Sequence, residues 1–270
     1  MLVQYTLFGV EDKVAKAIER LKTYEPPEGY YVAFSGGKDS TVILDLVRRA
    51  GVKHDAHYNL TTVDPPELIY HMREHYPSVV VDKPPMSMWK LIPKNLMPPT
   101  RLVRYCCSAL KERGGHGRRV VTGVRWAEST KRSKRRTVET CYRDSTKVYI
   151  NPIIEWSDDD VWAYIRDRGL PYCSLYDEGF KRLGCIGCPM GGPARMTREF
   201  ARWPKYEAAY LRAFDAMLRE RERRRLDTRQ VVVKDFVNRV NWETPEDVMH
   251  WWIYGPEQES EESDQGVLFE

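Results

Sequence analysis

The chain has 270 residues, of which 42% are hydrophobic, enough for one large α/β domain or for such a domain with a helical extension. No apolar stretch approaches the roughly 20 residues that span a bilayer, and the N-terminus lacks the basic-then-apolar pattern of a signal peptide. We therefore expect a cytoplasmic protein with no membrane partner. Six cysteines in an intracellular chain of this size argue against a disulfide framework and favour metal binding or catalysis.

The formal net charge is +4, but the charges are unevenly placed along the chain. Basic residues crowd 131–136 and 217–229, whereas 257–264 is almost purely acidic. The basic stretches predict either contact with a nucleic acid, DNA or tRNA, or ordinary solvated helix faces.

Helices and strands alternate over the first 170 residues. Apolar residues at helical spacing predict a first helix over 13–21, and the segment 26–29 breaks the chain before a buried strand at 30–34. The elements that follow are a helix at 39–50 that ends at Gly51, a strand at 53–60, a helix at 66–76, a strand at 79–81, a helix at 106–113, a strand at 119–124, a hairpin at 137–150 and a helix that Ser157-Asp158-Asp159-Asp160 caps and that reaches Arg168. This alternation predicts an α/β fold: a parallel twisted sheet with helices on both faces and binding sites at the carboxyl ends of its strands.

Beyond Pro171 the pattern changes to a mainly helical one. The sequence predicts one long arginine-rich helix over 196–225 and a tryptophan-rich helix over 244–253. We therefore divide the chain into a nucleotide-binding α/β domain, a helical region that carries a CxxC loop, and an acidic flexible tail; these parts are 1–170, 171–256 and 257–270.

The glycine loop, residues 35–40, lies between a predicted strand and a predicted helix and reads Ser35-Gly36-Gly37-Lys38-Asp39-Ser40. Such a turn places unpaired backbone N–H groups and the positive end of a helix dipole at one point, which favours a phosphate group. Lys38 adds a charge, and the donors expected from side chains are the hydroxyls of Ser35, Ser40 and Thr41. Asp39 is either a carboxylate that faces Mg²⁺ or a helix cap. The alternative is an ordinary capped turn without a ligand.

Two cysteine pairs form a second motif, Cys106-Cys107 and Cys185-x-x-Cys188. A CxxC loop is compatible with zinc, a redox dithiol or an iron-sulfur cluster, whereas adjacent cysteines fit tetrahedral zinc poorly. Two cysteines lie outside the motifs, Cys141 and Cys173. Cys173 is either a spare thiol or alternative ligand beside the CxxC loop, or an inert buried side chain.

These motifs, in this order, resemble known families. The glycine loop is similar to the SGGxDS PP-loop of the ATP pyrophosphatase superfamily, whose members cleave ATP between the α and β phosphates. Over about 30–190 the cysteine motifs and the segment from Gly123 to Arg132 resemble the phosphoadenosine phosphosulfate (PAPS) reductase family. The resemblance implies that a 4Fe-4S cluster is bound by Cys106, Cys107, Cys185 and Cys188. It also implies that an adenine nucleotide is bound by the glycine loop and by Gly123, Arg125, Glu128 and Arg132.

Two departures from the reductases bear on the reaction. The C-terminal cysteine that those enzymes use as nucleophile has no counterpart after Cys188, and the glycine loop has the intact form found in ATP-cleaving relatives. The resemblance then implies cleavage of ATP to AMP and pyrophosphate with Mg²⁺, to activate an acceptor such as a nucleic acid for sulfur transfer. Lys38, Asp39 and Arg125 would be the catalytic residues. The alternatives are a sulfonucleotide reductase that takes its thiol from Cys173 or a partner, and a non-catalytic nucleotide-binding subunit of a DNA-associated complex.

Two further features concern partners. Trp203, Tyr206 and Tyr210 on the arginine-rich helix either stack on a nucleic acid or belong to a core. The segments 4–8 and 265–269 both fit QxxLF, which resembles the peptide by which bacterial DNA proteins dock on the sliding clamp; terminal apolar residues that pack on the body are the alternative.

Overall fold

The structure, a computed structural model, describes residues 2–6, 9–226, 230–233 and 236–255. They fall into two units: residues up to Ser87 with Cys106–Cys185, and Met88–Tyr105 with the described residues from Ile186 onward. The predicted domain limits stay a prediction, and the predicted acidic tail lies outside the described residues.

The strands are, in chain order, β1 (Val3–Thr6), β2 (Gly9–Asp12), β3 (Tyr30–Ala33), β4 (His54–Asn59), β5 (Val80–Asp82), β6 (Arg119–Val121), β7 (Val138–Cys141), β8 (Asp144–Ile150), β9 (Gln230–Val233) and β10 (Phe236–Arg239). The helices are α1 (Lys13–Thr23), α2 (Lys38–Ala50), α3 (Pro66–His75), α4 (Met88–Asn95), α5 (Asp158–Arg168), α6 (Pro193–Arg202), α7 (Pro204–Arg223) and α8 (Pro245–Tyr254). None of the described helices is long and apolar enough to cross a membrane.

The six-stranded sheet of the first unit has the order β5-β4-β3-β6-β8-β7. Its neighbours run parallel except β7 and β8, which pair as an antiparallel hairpin at one edge. The predicted α/β class and the hairpin are therefore confirmed. In the register, Tyr31 of β3 lies opposite Asp55 of β4 and Val120 of β6. β4 and β5 lie on one side of β3, and β6, β8 and β7 lie on the other, so the strand order switches between β3 and β6. Ligands of open parallel sheets bind outside the carboxyl ends of the strands at such a point.

Burial of apolar side chains along the central strands explains why this sheet forms. Val32 and Val121 are fully buried on β3 and β6, and Ile43 and Leu46 on α2 are fully buried as well. A continuous apolar run is typical of a strand covered on both faces. The core of the sheet thus holds β3, β6 and α2 in fixed positions at the edge where the glycine loop begins.

The ends of two helices follow the rules read from the sequence. Ser157 caps α5: its side chain accepts the Asp160 N–H, and the Asp160 side chain accepts the Ser157 N–H. Gly51 and Gly169 end α2 and α5 in the left-handed conformation, with φ of 71° and 59°. The predicted cap at Ser157 is confirmed.

The second unit is a helical unit around an aromatic core, with β9 and β10 as an antiparallel pair. The ring of Tyr210 lies 4.7 Å from that of Trp252 and 5.0 Å from that of Trp89, and Tyr206 also packs against Trp89. Trp203 and Tyr210 are buried. Trp203 and Tyr210 therefore fit the core alternative, whereas Tyr206 is half-buried, and nucleic-acid stacking stays a prediction.

Three predicted elements differ from the structure. The single helix over 196–225 is two helices, because Pro204 lacks the N–H that would continue the first one and Trp203 before it has a non-helical φ of −129°. The helix over 106–113 is a short π-helical turn at Cys107–Lys111, and the strand over 119–124 ends at Val121. The proline-rich segment 84–99, for which no element was predicted, contains α4.

A part-buried ion pair ties α1 to the segment that leads into α5. Both oxygens of Glu155 accept hydrogen bonds from Arg20, at 2.7 and 2.9 Å, and Lys16 lies 3.2 Å from one of them. Burial alone would raise the pKa of Glu155, but Arg20 and then Lys16 outweigh it and hold that pKa below its usual value. The charged carboxylate therefore stabilises the fold above the pKa of an unfolded glutamate, and this contribution is lost as the pH falls through the folded pKa.

We predict that Glu155→Gln lowers the free energy of unfolding by about 1.5 to 3 kcal/mol at pH 7, the usual range for hydrogen bonds to charged groups. Urea unfolding should show this difference shrinking below about pH 4, where the wild-type carboxylate is also neutral. The control is Glu19→Gln on the exposed side of α1, which should change stability little at either pH. An equal loss at pH 7 and pH 3 would contradict the electrostatic explanation.

Candidate functional site

The glycine loop closes on itself through Ser40. The Ser40 Oγ accepts the Ser35 N–H at 3.1 Å and donates to the Gly37 carbonyl at 2.8 Å. The predicted ligand-binding hydroxyl of Ser40 is thus engaged in shaping the loop, and Thr41 is 1% exposed. Ser35 is the exposed hydroxyl of the three.

The loop presents backbone donors at the start of α2. Gly37 is the N-cap and no side chain caps the helix there. Within the part of the chain that the structure describes, the amides of Gly36, Gly37 and Asp39 have no acceptor. Gly36 has φ of 72°, which a residue with a side chain rarely adopts, and a Cβ there would lie 2.7 Å from Leu68. This geometry, with the helix dipole, is suited to an oxyanion.

Two buried cations and two carboxylates form a network beside the loop. Arg125 is 2% exposed and donates to Asp39 at 2.7 Å, to Asp158 at 2.9 Å and to the Trp156 carbonyl at 3.2 Å. Lys38 is 5% exposed, with Nζ 3.0 Å from Asp158 and 3.4 Å from Asp39. Asp39 is therefore a partner of Arg125 and not a helix cap. Although burial acts to raise it, the pKa of Asp158 lies below its usual value because of Lys38 and then Arg125.

The segment after β6 supplies the remaining predicted residues. Gly123 allows this segment to approach α2, because a Cβ there would lie 2.9 Å from the Cβ of Asp39 and 3.0 Å from its carbonyl carbon. Glu128 accepts the Arg125 N–H at 3.0 Å and forms an ion pair with Arg132. The structure thus brings Lys38, Asp39, Gly123 and Arg125 together, and it places Arg132 against Glu128.

Two residues of the site are absent from the predictions made from sequence. The sequence identifies Asp158 only as part of a helix cap, although an acidic run that follows a strand and opens a helix is also a signal for a charge partner. Tyr176 accepts the Lys38 N–H through its hydroxyl at 2.9 Å. Its signal was weak, because 138 residues separate it from Lys38.

The four cysteines predicted to bind a cluster differ in their burial. Cys106 and Cys107 are half-buried, and Cys185 is buried with its thiol 3.4 Å from the Thr61 hydroxyl. Cys188 precedes a 3-10 turn in the second unit. Four thiolates are a suitable donor set for a 4Fe-4S cluster, but the described residues contain no group of three or more His, Cys, Asp or Glu side chains placed to hold a metal ion. The cluster and the Mg²⁺ ion therefore stay predictions.

The remaining cysteines, Cys173 and Cys141, lie outside the two predicted pairs. Cys173 is fully buried, and burial raises the pKa of its thiol. This fits the inert alternative better than a reactive or ligating thiol. Cys141 is half-buried on the edge strand β7.

Comparison with known proteins identifies related sequences. The family model for the phosphoadenosine phosphosulfate reductase domain matches residues 29–190. An uncharacterized protein of Methanocaldococcus jannaschii is 30% identical over 193 residues, covering 65% of this chain and 40% of that protein. The chain thus spans less than half the length of that relative. Adenosine 5'-phosphosulfate reductase of Staphylococcus epidermidis is 27% identical over 206 residues, covering 66% of this chain and 79% of that protein.

A solved structure supports the fold. PAPS reductase from Candida auris, in a phosphate complex, is 22% identical with a TM-score of 0.50, covering 63% of this chain and 88% of that chain. At this level of identity the likeness concerns the fold alone.

We predict that Gly123→Ala weakens binding of AMP and ATP at least about ten-fold, because the new methyl group would overlap the backbone of Asp39 and displace the glycine loop. The control is Gly117→Ala, where φ is 69° and no atom lies within 4 Å of the added Cβ. That variant should lose about 1 to 2 kcal/mol of stability through backbone strain yet bind both nucleotides normally. Titration calorimetry with unaltered affinity for Gly123→Ala would contradict the close approach seen here.

The cysteine prediction is tested by metal analysis after anaerobic purification. A 4Fe-4S cluster predicts a brown protein with about four irons per chain, lost in Cys185→Ser and kept in the control Cys141→Ser. Stoichiometric zinc, or no metal in the unaltered protein, would contradict the cluster.

Proposed function

The chain belongs to the phosphoadenosine phosphosulfate reductase family, and we propose on that basis that it reduces a sulfonucleotide, adenosine 5'-phosphosulfate or PAPS, with an external dithiol. The observation that carries the proposal is the pair of buried cations, Lys38 and Arg125, beside loop amides that have no acceptor among the described residues, at the point where the strand order switches between β3 and β6. Curated relatives of this chain are adenosine 5'-phosphosulfate reductases. The site is therefore interpreted as the place where the anionic part of such a nucleotide binds.

The two cations have different parts in this proposal. Arg125 donates to three acceptors on two segments, the start of α2 and the stretch from Trp156 to Asp158, and is fixed before any ligand arrives. Lys38 has a flexible stem and can exchange the Asp158 carboxylate, which is 60% exposed, for an oxygen of the nucleotide. The arrangement supplies positive charge where the 5'-phosphate of the leaving nucleotide gains negative charge.

The reaction balances with a dithiol as the co-reactant. One thiolate attacks the sulfur atom of the sulfonucleotide; an S–S bond forms, and the bond between sulfur and the bridging phosphate oxygen breaks. The nucleotide leaves with the electron pair, as AMP from adenosine 5'-phosphosulfate or as adenosine 3',5'-bisphosphate from PAPS. The second thiolate then attacks the first sulfur, sulfite leaves, and the dithiol has become a disulfide by loss of two electrons. Cys173 is unsuited to the first step because it is fully buried with a raised thiol pKa.

A second candidate function is cleavage of ATP to AMP and pyrophosphate, to activate an acceptor for sulfur transfer. The specific observation in its favour is the intact glycine loop, in which both Lys38 and Asp39 are present and Asp39 contacts Arg125. Its acceptor, DNA or tRNA, has no support from the buried aromatic residues of α7. The clamp-like segments at 4–8 and 265–269 include residues outside the described ones. A non-catalytic nucleotide-binding subunit is a further alternative, and it predicts no turnover of either nucleotide.

Incubation of the protein with adenosine 5'-phosphosulfate, PAPS or ATP, each with a thioredoxin-type dithiol, separates these functions. We predict release of sulfite from a sulfonucleotide, together with AMP from adenosine 5'-phosphosulfate or adenosine 3',5'-bisphosphate from PAPS. The rate should fall about 100-fold in Lys38→Met, as is usual when one donor to a developing charge is removed. Lys22→Met, on the exposed side of α1, should keep full activity. AMP and pyrophosphate from ATP without sulfite from either sulfonucleotide would overturn the proposal in favour of the second candidate.

A further inference from the structure

The hydroxyl of Tyr176 contacts the glycine loop and has no part in the proposed reaction. It accepts the N–H of Lys38 at 2.9 Å, at the first residue of α2. An ideal Cβ built on Gly37 would lie 3.4 Å from the same oxygen. The phenol therefore touches the turn at which backbone donors converge.

The ring of Tyr176 is held in place by its surroundings. It packs edge-on against Trp162 at 5.1 Å and against Tyr172 at 6.4 Å, measured between ring centres. The segment that leads to it is tied to the end of α3, since Tyr76 donates its hydroxyl hydrogen to the Pro171 carbonyl at 2.8 Å. A hydroxyl positioned in this way loses little conformational freedom when a ligand binds.

The hydrogen-bonding capacity of this hydroxyl is only partly used. A phenol both accepts and donates. The accepting side is occupied by the Lys38 amide, and for the donated hydrogen there is no acceptor in the described parts of the chain. Burial raises the pKa of Tyr176, against the opposing effect of the Lys38 amide, so the phenol keeps its proton at neutral pH. Tyr176 therefore presents one unused O–H donor at the loop.

We propose that Tyr176 donates this hydrogen bond to a phosphate or sulfate oxygen of the nucleotide bound at the glycine loop, which makes it a ligand-contacting residue. The donors around it are the loop amides and the Lys38 ammonium, so an oxyanion is the acceptor that the surroundings favour. The bond from the Lys38 N–H polarises the phenol and strengthens its donation to an anion. The proposal rests on the proposed function only in that the loop binds an anionic nucleotide; it does not depend on which bond is then broken.

The test compares two tyrosines of the same aromatic cluster. Tyr176→Phe keeps the ring and removes only the hydroxyl. Tyr172→Phe is the matched control, because the Tyr172 hydroxyl donates to Asp177 at 3.1 Å and its ring packs against both Trp162 and Tyr176. Titration calorimetry is carried out on the full chain with adenosine 5'-phosphosulfate, with ATP and with adenosine, which has the same base and sugar without an anionic group.

We expect Tyr176→Phe to weaken binding of both anionic nucleotides about ten-fold, as for loss of one hydrogen bond to a charged group. Its affinity for adenosine should be unchanged, and Tyr172→Phe should match the unaltered protein with all three ligands. A merely structural role of Tyr176 would weaken adenosine equally, and that result overturns the proposal. Equal or tighter binding of the anionic nucleotides also overturns it, because the hydroxyl would then only compete with the anion for the Lys38 amide.

The failure of this proposal can be told apart from failure of the proposed function. If the anionic nucleotides bind and Tyr176→Phe weakens them, but no sulfite is released, the reductase function fails and the Tyr176 contact stands. If neither anionic nucleotide binds to the unaltered protein, both fail.

Discussion

The buried guanidinium of Arg125 is the interaction on which the arrangement of the site depends. It joins the start of α2 through Asp39, the chain before α5 through the Trp156 carbonyl, and the first turn of α5 through Asp158. A buried cation that loses its partners costs about 3 to 5 kcal/mol, so these segments are held together whether or not a ligand is present. Preorganised charge of this kind requires no rearrangement of the protein when negative charge develops on a ligand. Gly123 makes this arrangement possible, because a residue without a Cβ lets the segment that carries Arg125 come close to Asp39 at the start of α2.

Local chemistry in the sequence was sufficient to predict much of the fold. The capping box at Ser157, the left-handed glycine at the end of α2 and the apolar run of β3 all act within a few residues, and each was found where the pattern placed it. The break before Pro204 is also a local signal, but the helical spacing on both sides of it concealed the interruption. The short helix α4 was missed because it contains Pro93, which normally argues against a helix.

The site was only partly predictable, for a physical reason. The glycine loop and Arg125 belong to motifs with a known order, and the structure brings them together. Asp158 and Tyr176 act through contacts with residues more than 100 positions away along the chain, and no local pattern distinguishes such a residue from a helix cap or a core aromatic. For Trp203 and Tyr210 the sequence left two interpretations open, and burial in the second unit decided between them. The spacing of the cysteines indicates that four thiols could bind one metal centre. Whether these thiols lie within reach of one centre depends on the tertiary structure and not on the spacing.

The two candidate reactions use the same charges for different bonds. In sulfonucleotide reduction the bond that breaks joins sulfur to a phosphate oxygen and the adenine nucleotide leaves; in ATP cleavage it joins two phosphates and pyrophosphate leaves. Both need cations and backbone donors around an oxyanion, which is what Lys38, Arg125 and the loop provide.

The common and central claim is that the anionic part of a nucleotide binds at the glycine loop beside Arg125. The most direct measurement is an experimental structure of the protein with adenosine 5'-phosphosulfate bound. The account predicts phosphate or sulfate oxygens within hydrogen-bond distance of the Gly37 and Asp39 amides, with the Arg125–Asp39 pair retained; a nucleotide bound elsewhere, with the loop amides facing only water, would contradict it.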